Sequence, residues 1–318
     1  MSESLSCWIV TDGKAGTENQ CLGLAEALNL SPTVKRVTTR FPWTHLPAHL
    51  WPIPLWAQSP ERDQLKAPWP DLLIASGRPS AAPAAAIRKK SKGKTRVIFV
   101  QGPRLSPSRF DVVVSPFHDQ LSGNNILTTH GALHKVTKTK CDQAIKSLKP
   151  RISHLKPPYV AVLIGGPNKY YQLDDKVMNS IGQQLAALSK KHNVSLLITG
   201  SRRTKDSAYT VLHECLKNTP HMLWDWSGEN PYLGFLGIAD HILLTQDSVS
   251  MASEAASTGK PVYIIPLPGK SDKFQRFHKH FQELGYTRPF QGNLENWTYP
   301  PLDEPKKIAE KIRKILNI

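Results

Sequence analysis

A chain of 318 residues, 40% hydrophobic and 21% charged, has the composition of a folded globular protein and exceeds one comfortable hydrophobic core, so two domains of about 150 residues are expected. Its 41 Lys and Arg against 25 Asp and Glu leave a formal charge of +16, which favours anionic partners such as phosphorylated ligands, anionic lipid or nucleic acid. No apolar run approaches the roughly 18 to 20 residues that span a bilayer, and the N-terminus lacks a signal-peptide pattern, so a cytoplasmic location with at most peripheral membrane contact is expected.

Residues 8–11 read as a short apolar strand running into Asp12-Gly13-Lys14-Ala15-Gly16-Thr17. A helix follows, with Cys21, Leu24, Ala25 and Leu28 at a 3.6-residue period, and residues 34–37 suit a second strand. Cys7 and Cys21 fall on apolar positions as core thiols, and the four cysteines show no C-x-x-C spacing, so neither zinc nor a disulfide framework is indicated. Residues 41–70 are so dense in Pro and Trp that regular structure is blocked; an irregular excursion packed by its aromatics, or an interfacial loop, is expected. Strands are expected again at 71–76, 97–100 and 112–114, with an Ala-rich helix after Ser76-Gly77-Arg78-Pro79. The basic run Arg88 to Arg96 reads first as a solvated helix end. Apolar runs separated by helix-sized segments predict parallel strands covered by helices.

The prolines and basic residues of 149–158 mark the expected linker, dividing the chain into domains 1–152 and 153–318, with a terminal helix at 305–317 free to pack back on the first. That helix has Ile308, Ile312, Ile315 and Leu316 on its apolar face. Within the second half, the strand at 159–164 ends in Gly165-Gly166-Pro167, and Asp174 and Asp175 start a helix with Val177, Ile181, Leu185 and Leu188 on one face. The strand at 196–198 ends in Thr199-Gly200-Ser201-Arg202-Arg203-Thr204. A helix at 205–217, a strand at 221–225, a helix begun by Pro231 and a strand at 241–245 complete the pattern. Phe274, Phe277 and Phe281 repeat at three and four beside Lys273, Arg276, His278, Lys279 and His280, which reads as an amphiphilic helix with its aromatics inward. The expected fold is α/β, two Rossmann-like domains with parallel sheets and a cleft between them.

The most informative stretch follows the strand at 241–245. Asp247, Ser248, Val249, Ser250 and Met251 open a short helix, where free N–H groups and the positive dipole end attract a phosphate. Arg202 and Arg203 add bidentate donors for phosphate oxygens, and Gly165 and Gly166 either admit a ligand close to the backbone or turn the chain. The loop of Gly13, Lys14 and Gly16 lacks P-loop spacing and suits an acceptor or sugar instead. Asp12 is the leading candidate general base, followed by His118 and Asp119, although a turn or capping role fits Asp12 as well. No metal-ligand spacing and no cofactor motif is present, and nothing beyond charge favours nucleic acid.

Asp12-Gly13-Lys14-Ala15-Gly16 with Glu18-Asn19-Gln20, Ser76-Gly77-Arg78, Gln101-Gly102-Pro103-Arg104, His118-Asp119, Gly165-Gly166-Pro167, Ser201 to Thr204 and Asp247 to Pro261 together resemble the "elongated mitochondria" fission-factor family. That resemblance spans nearly the whole chain and implies a likeness to GT-B glycosyltransferases, including the N-acetylglucosaminyl transferase of peptidoglycan synthesis. There, a serine near a helix start and a glutamate six residues on contact the nucleotide-sugar, and a glycine falls five residues after the glutamate; Ser248, Glu254 and Gly259 keep both spacings. By that similarity Glu254 would hold ribose hydroxyls, while Ser248 and the following N–H groups would hold the diphosphate. The resemblance also marks Arg78 and Ser201 as binding residues, but supplies no equivalent of a transferase base.

The expectation is therefore a metal-independent GT-B-type glycosyltransferase that takes a nucleotide-diphospho-sugar donor and an unidentified cell-envelope or lipid-linked acceptor. Its competitors are a non-catalytic adaptor recruiting a partner at an anionic membrane surface, and a nucleotide-sugar epimerase.

Overall fold

The computed structural model describes residues 5–318, which form two compact units. Unit 1 runs to Lys135 and takes in Asp303–Ile318; unit 2 is Val136–Leu302.

In unit 1, β1 (Cys7–Thr11), α1 (Ala15–Ala27), β2 (Thr33–Arg36), β3 (Leu72–Ser76), α2 (Arg78–Lys90), β4 (Arg96–Val100), β5 (Val112–Pro116) and β6 (Ile126–Thr129) follow in order. The six strands make one parallel sheet in the order β2-β1-β3-β4-β5-β6. Strands β3 and β5 are buried along their whole length because both faces of the sheet are covered. Ile9, Ile74, Ile98 and Val112 pack with α1 on one face, and Val10, Leu73, Val97 and Phe99 pack on the other against α2 and the aromatic excursion.

That excursion has no regular element beyond a short 3-10 turn at Ala48–Leu50, as its prolines dictate. It is nonetheless fixed to α2. Pro83, inside the helix, has no N–H for the carbonyl of Pro79, and Gln58 donates to that carbonyl at 3.4 Å instead. Gln58 also pairs with Thr39 as an isolated bridge, and Arg40 N–H donates to Ala57 O at 3.0 Å.

Unit 2 comprises α3 (Lys138–Leu148), β7 (Tyr159–Ile164), α4 (Asp175–His192), β8 (Ser195–Gly200), α5 (Asp206–Leu216), β9 (His221–Leu223), α6 (Tyr232–Ile238), β10 (His241–Thr245), α7 (Val249–Ala256), β11 (Val262–Ile265), α8 (Asp272–Glu283) and β12 (Thr287–Pro289). Its sheet is parallel as well, in the order β12-β11-β10-β7-β8-β9. Helices α4 and α5 cover one face; α3, α6, α7 and α8 cover the other, where Phe277 and Phe281 are wholly buried. Asp174 caps α4 as its sequence position implies, accepting from Val177 N–H at 2.9 Å.

Three details differ from the sequence reading. Strands β6 and β12 and helix α3 went unread, because the strands are four and three residues at sheet edges and the helix buries only Cys141 and Leu148 amid lysines. Helix α3 and the 3-10 turn Lys149–Ile152 that continues it belong to unit 2, packed on α6, whereas the expected division lay at 152. The last helix, α9 (Glu304–Leu316), packs on α1 in unit 1 with Ile308, Ala309, Ile312 and Leu316 buried; Ile315, expected on that face, is exposed. Arg313 closes this contact by donating to Ala27 O at 2.8 Å.

Candidate functional site

In each sheet the chain reverses its direction of winding once. Loops at the carboxyl ends of the two strands flanking such a reversal diverge onto opposite faces and leave a crevice where ligands bind in open α/β sheets. In unit 1 the reversal lies between β1 and β3, followed by Asp12-Gly13-Lys14 and Gly77-Arg78. In unit 2 it lies between β7 and β10, followed by Gly165-Gly166-Pro167 and Gln246-Asp247-Ser248.

The unit 2 group is built around one buried carboxylate. The Asp247 side chain is fully buried and accepts from Thr245 Oγ1 at 2.7 Å, Gly166 N–H at 3.0 Å and Arg203 Nη2 at 2.6 Å. Gly165 N–H donates to Thr245 Oγ1 at 2.7 Å, and Arg203 Nη1 donates to Gly166 O at 2.7 Å. The loop after β8 joins through Thr204, whose hydroxyl donates to Gly165 O at 2.5 Å and accepts from Ser201 N–H at 2.8 Å. Both glycines are dictated by this crowding. A Cβ at Gly165 would lie 2.2 Å from the Asp247 carboxylate, and one at Gly166 would lie 2.4 Å from the Arg203 backbone.

The two arginines thus separate. Arg203 is spent on Asp247 and Gly166, while Arg202 is exposed and has no hydrogen-bond or ionic partner among the described residues. At the start of α7, Ser248 is the N-cap and its hydroxyl takes Met251 N–H at 3.2 Å. The N–H groups of Val249 and Ser250 have no acceptor within the described residues, as expected for the first positions of a helix. Ser250 and Glu254, four apart, share one face of α7. Glu254 accepts from the Tyr232 hydroxyl; burial, then the neighbouring Glu254 charge, push that phenol well above its ordinary range and keep it a donor.

A buried histidine holds the turn from behind. His278 donates from Nε2 to Gln246 O at 2.8 Å, since a carbonyl can only accept, and its Nδ1 is buried without a partner. Burial lowers its pKa below the ordinary value of 6.5.

The unit 1 group is more open. Asp12 Oδ2 pairs with Lys14 Nζ at 2.6 Å and its Oδ1 accepts Lys14 N–H at 3.2 Å. Its carboxyl lies over Gly77, whose φ of +92° and missing Cβ permit the approach. Gly13 N–H donates to Thr11 Oγ1 at 3.2 Å, and Gly16 O accepts from Gln20 Nε2 at 3.2 Å. Beside them Arg36 makes a bidentate pair with Glu18, both bonds 2.8 Å. Arg78 donates to Leu46 O at 3.0 Å, which ties it to the aromatic excursion. His118 and Asp119 stand apart after β5; His118 is 3% exposed, with Nε2 3.9 Å from Asp119 Oδ1.

The structure therefore gathers the candidates into two groups, one in each unit, with His118 and Asp119 outside the first. Sequence reasoning missed Thr245, Thr204, Tyr232 and His278 as supporting residues; Thr245 lay near Asp247 in the chain and Thr204 ended the Ser201–Thr204 motif, while nothing local pointed to the support from Tyr232 or His278. A cavity of about 450 Å³ lies beside the start of α4, lined by Gln172, Asp174, Lys176 and Ile265 among others, and none of the candidate residues lines it. Among the described residues no cluster of His, Cys, Asp and Glu could hold a metal ion, and no helix is long and apolar enough to cross a membrane.

Comparison with known proteins places these loops in context. The model of the family described as "Mitochondrial fission ELM1" matches residues 15–316. The chain belongs to that family. It is 31% identical to the mitochondrial fission protein ELM1 of Arabidopsis thaliana over 78% of its own length, and spans 64% of that plant protein. Among solved structures it resembles the UDP-GlcNAc 2-epimerase of Methanocaldococcus jannaschii, solved with UDP-GlcNAc and UDP (TM-score 0.56, 14% identity, covering 98% of this chain and 99% of that one). It also resembles MurG of Acinetobacter baumannii (TM-score 0.50, 15% identity, 98% and 92%). Two Rossmann-like units of parallel sheet make the fold GT-B-like.

Two measurements check the unit 2 network. Asp247→Ala leaves Arg203 and Gly166 N–H without their acceptor; because Arg203 is partly solvated, the expected cost is about 2–3 kcal/mol in urea unfolding. His278 binds its proton more readily unfolded than folded, so stability is full above about pH 6.5 and declines as pH falls towards the lowered folded-state pKa. His241, whose pKa burial also lowers, adds to the same slope. His278→Gln should flatten the decline in a series of thermal melts; an unchanged pH profile would exclude His278 as its source.

Proposed function

We propose that the protein binds a nucleotide-diphospho-sugar at the reversal point of unit 2 and transfers its sugar, without a metal, to a cell-envelope or lipid-linked acceptor. The observation that carries this reading is the convergence of three loops on Asp247, which fixes an open helix start and an unpaired arginine at the place where α/β sheets hold ligands. That solved structures of the same fold are of proteins acting on UDP-GlcNAc is consistent with such a donor.

Each group has a part. The N–H groups of Val249 and Ser250, aided by the dipole of α7, receive the diphosphate, and Arg202 supplies the mobile cation that neutralises it as it leaves. Arg203, already committed to Asp247, acts by holding the loop in place. Glu254, steadied by Tyr232, accepts the ribose hydroxyls. Unit 1 takes the acceptor. Asp12 serves there as general base once Lys14, whose side chain is 79% exposed, swings aside, and Lys14, Gly13, Gly16 and Arg78 frame the site. His118 is too buried to meet a substrate directly, and with Asp119 it shapes the loop after β5.

Thermal melts with a panel of UDP-, ADP-, GDP- and CMP-sugars test the donor site. A cognate donor at 100 times its dissociation constant adds about 2.7 kcal/mol of stability, and Arg202→Ala and Glu254→Ala should each abolish most of that shift. Silence across the panel removes the transferase reading. With a donor in hand, Asp12→Asn should lower turnover about 100-fold or more while leaving the donor-induced shift intact. Isomerisation of the donor sugar without any acceptor would identify an epimerase instead.

A further inference from the structure

The aromatic excursion carries an apolar surface that nothing in unit 1 covers. Among the described residues, the four most exposed large hydrophobic side chains all lie in it: Phe41 at 79%, Ile53 and Trp56 at 58%, and Leu50 at 55%. They stand on a braced frame. Ala48, Trp51 and Ala57 are buried beneath, Trp51 Nε1 donates to Leu46 O at 3.1 Å, and Trp43 packs edge-on against Trp56 at 6.2 Å. The Arg40 guanidinium lies 3.4 Å from the centre of the Trp56 ring. With four prolines in residues 41–56 and these ties, the loop loses little ordering entropy when its outer face is covered.

Its charge indicates what covers it. Residues 37–60 contain no Asp or Glu, while Arg40, His45 and His49 lie within them and Arg78 is bonded to Leu46 O. Exposed Phe, Trp, Ile and Leu beside the exposed Arg78, with no anion from 37 to 60, suit the boundary of an anionic bilayer, where tryptophan prefers the headgroup level and a basic side chain meets lipid phosphate. Among the described residues no helix spans a membrane, so such contact would be peripheral.

We propose that residues 41–56 form a membrane-insertion loop that sets Phe41, Leu50, Ile53 and Trp56 into the surface of an anionic bilayer. This goes beyond the donor-site reading and does not need it, because vesicle binding is measured without any nucleotide-sugar. If both hold, the loop brings the bilayer to Arg78 and thereby to the acceptor residues of unit 1.

The test uses the full chain with vesicles of phosphatidylglycerol mixed with phosphatidylcholine, and with phosphatidylcholine alone. Binding to the mixed vesicles, weaker binding to the neutral ones, and quenching of tryptophan fluorescence by brominated acyl chains are expected. Phe41→Ser with Ile53→Ser should lower partitioning at least about tenfold at a nearly unchanged melting temperature, since both side chains are mostly exposed. Trp56→Phe should keep binding but lose most of the quenching. A rival cationic surface, Lys89, Lys90, Lys92 and Lys94, lies at the far end of α2, about 20 Å from the loop by helix rise. Binding that survives the double substitution, or that is lost only on Lys89→Ala with Lys90→Ala, overturns the proposal. So does a failure to bind vesicles at all, which would leave the patch to a protein partner.

Discussion

The arrangement of unit 2 depends on satisfying one buried charge. A carboxylate removed from water is tolerated only when paired and hydrogen-bonded, and Asp247 meets that demand by drawing donors from β10 itself, from the loop after β7 and from the loop after β8. None of the three can shift without stranding it. Gly165 and Gly166 follow from the same demand, because the carboxylate and the Arg203 backbone occupy the space that side chains there would fill. What looks in sequence like glycine-rich ligand chemistry is first a packing solution, and the helix start at Ser248 inherits its fixed position from it.

Unit 1 meets the same topological situation with the opposite chemistry. At its reversal point Asp12 also lies against a glycine of a neighbouring loop, but its partner is the solvent-exposed Lys14, two residues away on the same loop. An exposed pair of this kind contributes little to stability, so the loop can re-form around a bound group at small cost. A preorganised loop set suits a ligand whose charge must be stabilised in a fixed place, and an adaptable one suits an acceptor that arrives with a proton to give up. The division of labour proposed for the two units rests on that contrast.

The strands were legible because buried parallel strands leave near-continuous apolar runs, as at residues 72–76, 159–164 and 241–245. Helix α3 was not, since most of its residues are polar and the prolines that end it resemble a linker. Adjacent in sequence, Arg202 and Arg203 are interchangeable on paper; only the fold shows that one reaches back to Asp247 while the other stays in water. Likewise the serine, glutamate and glycine spacing around Ser248 located the helix, but Tyr232, which anchors the glutamate, comes from α6, and no local pattern could reveal it.

The same distinction accounts for the protein's positive charge. Several arginines serve as internal fastenings: Arg36 to Glu18, Arg88 to Asp111, Arg203 to Asp247, and Arg313 to the end of α1. Their charges are cancelled or shared, so a count of basic residues overstates what is offered to an anion. Arg202, in the loop after β8, is exposed and has no partner among the described residues, while Arg40 lies against the Trp56 ring. For the donor site proposed in unit 2, an exposed arginine and a helix dipole favour a compact phosphate over a polyanion needing a broad basic face.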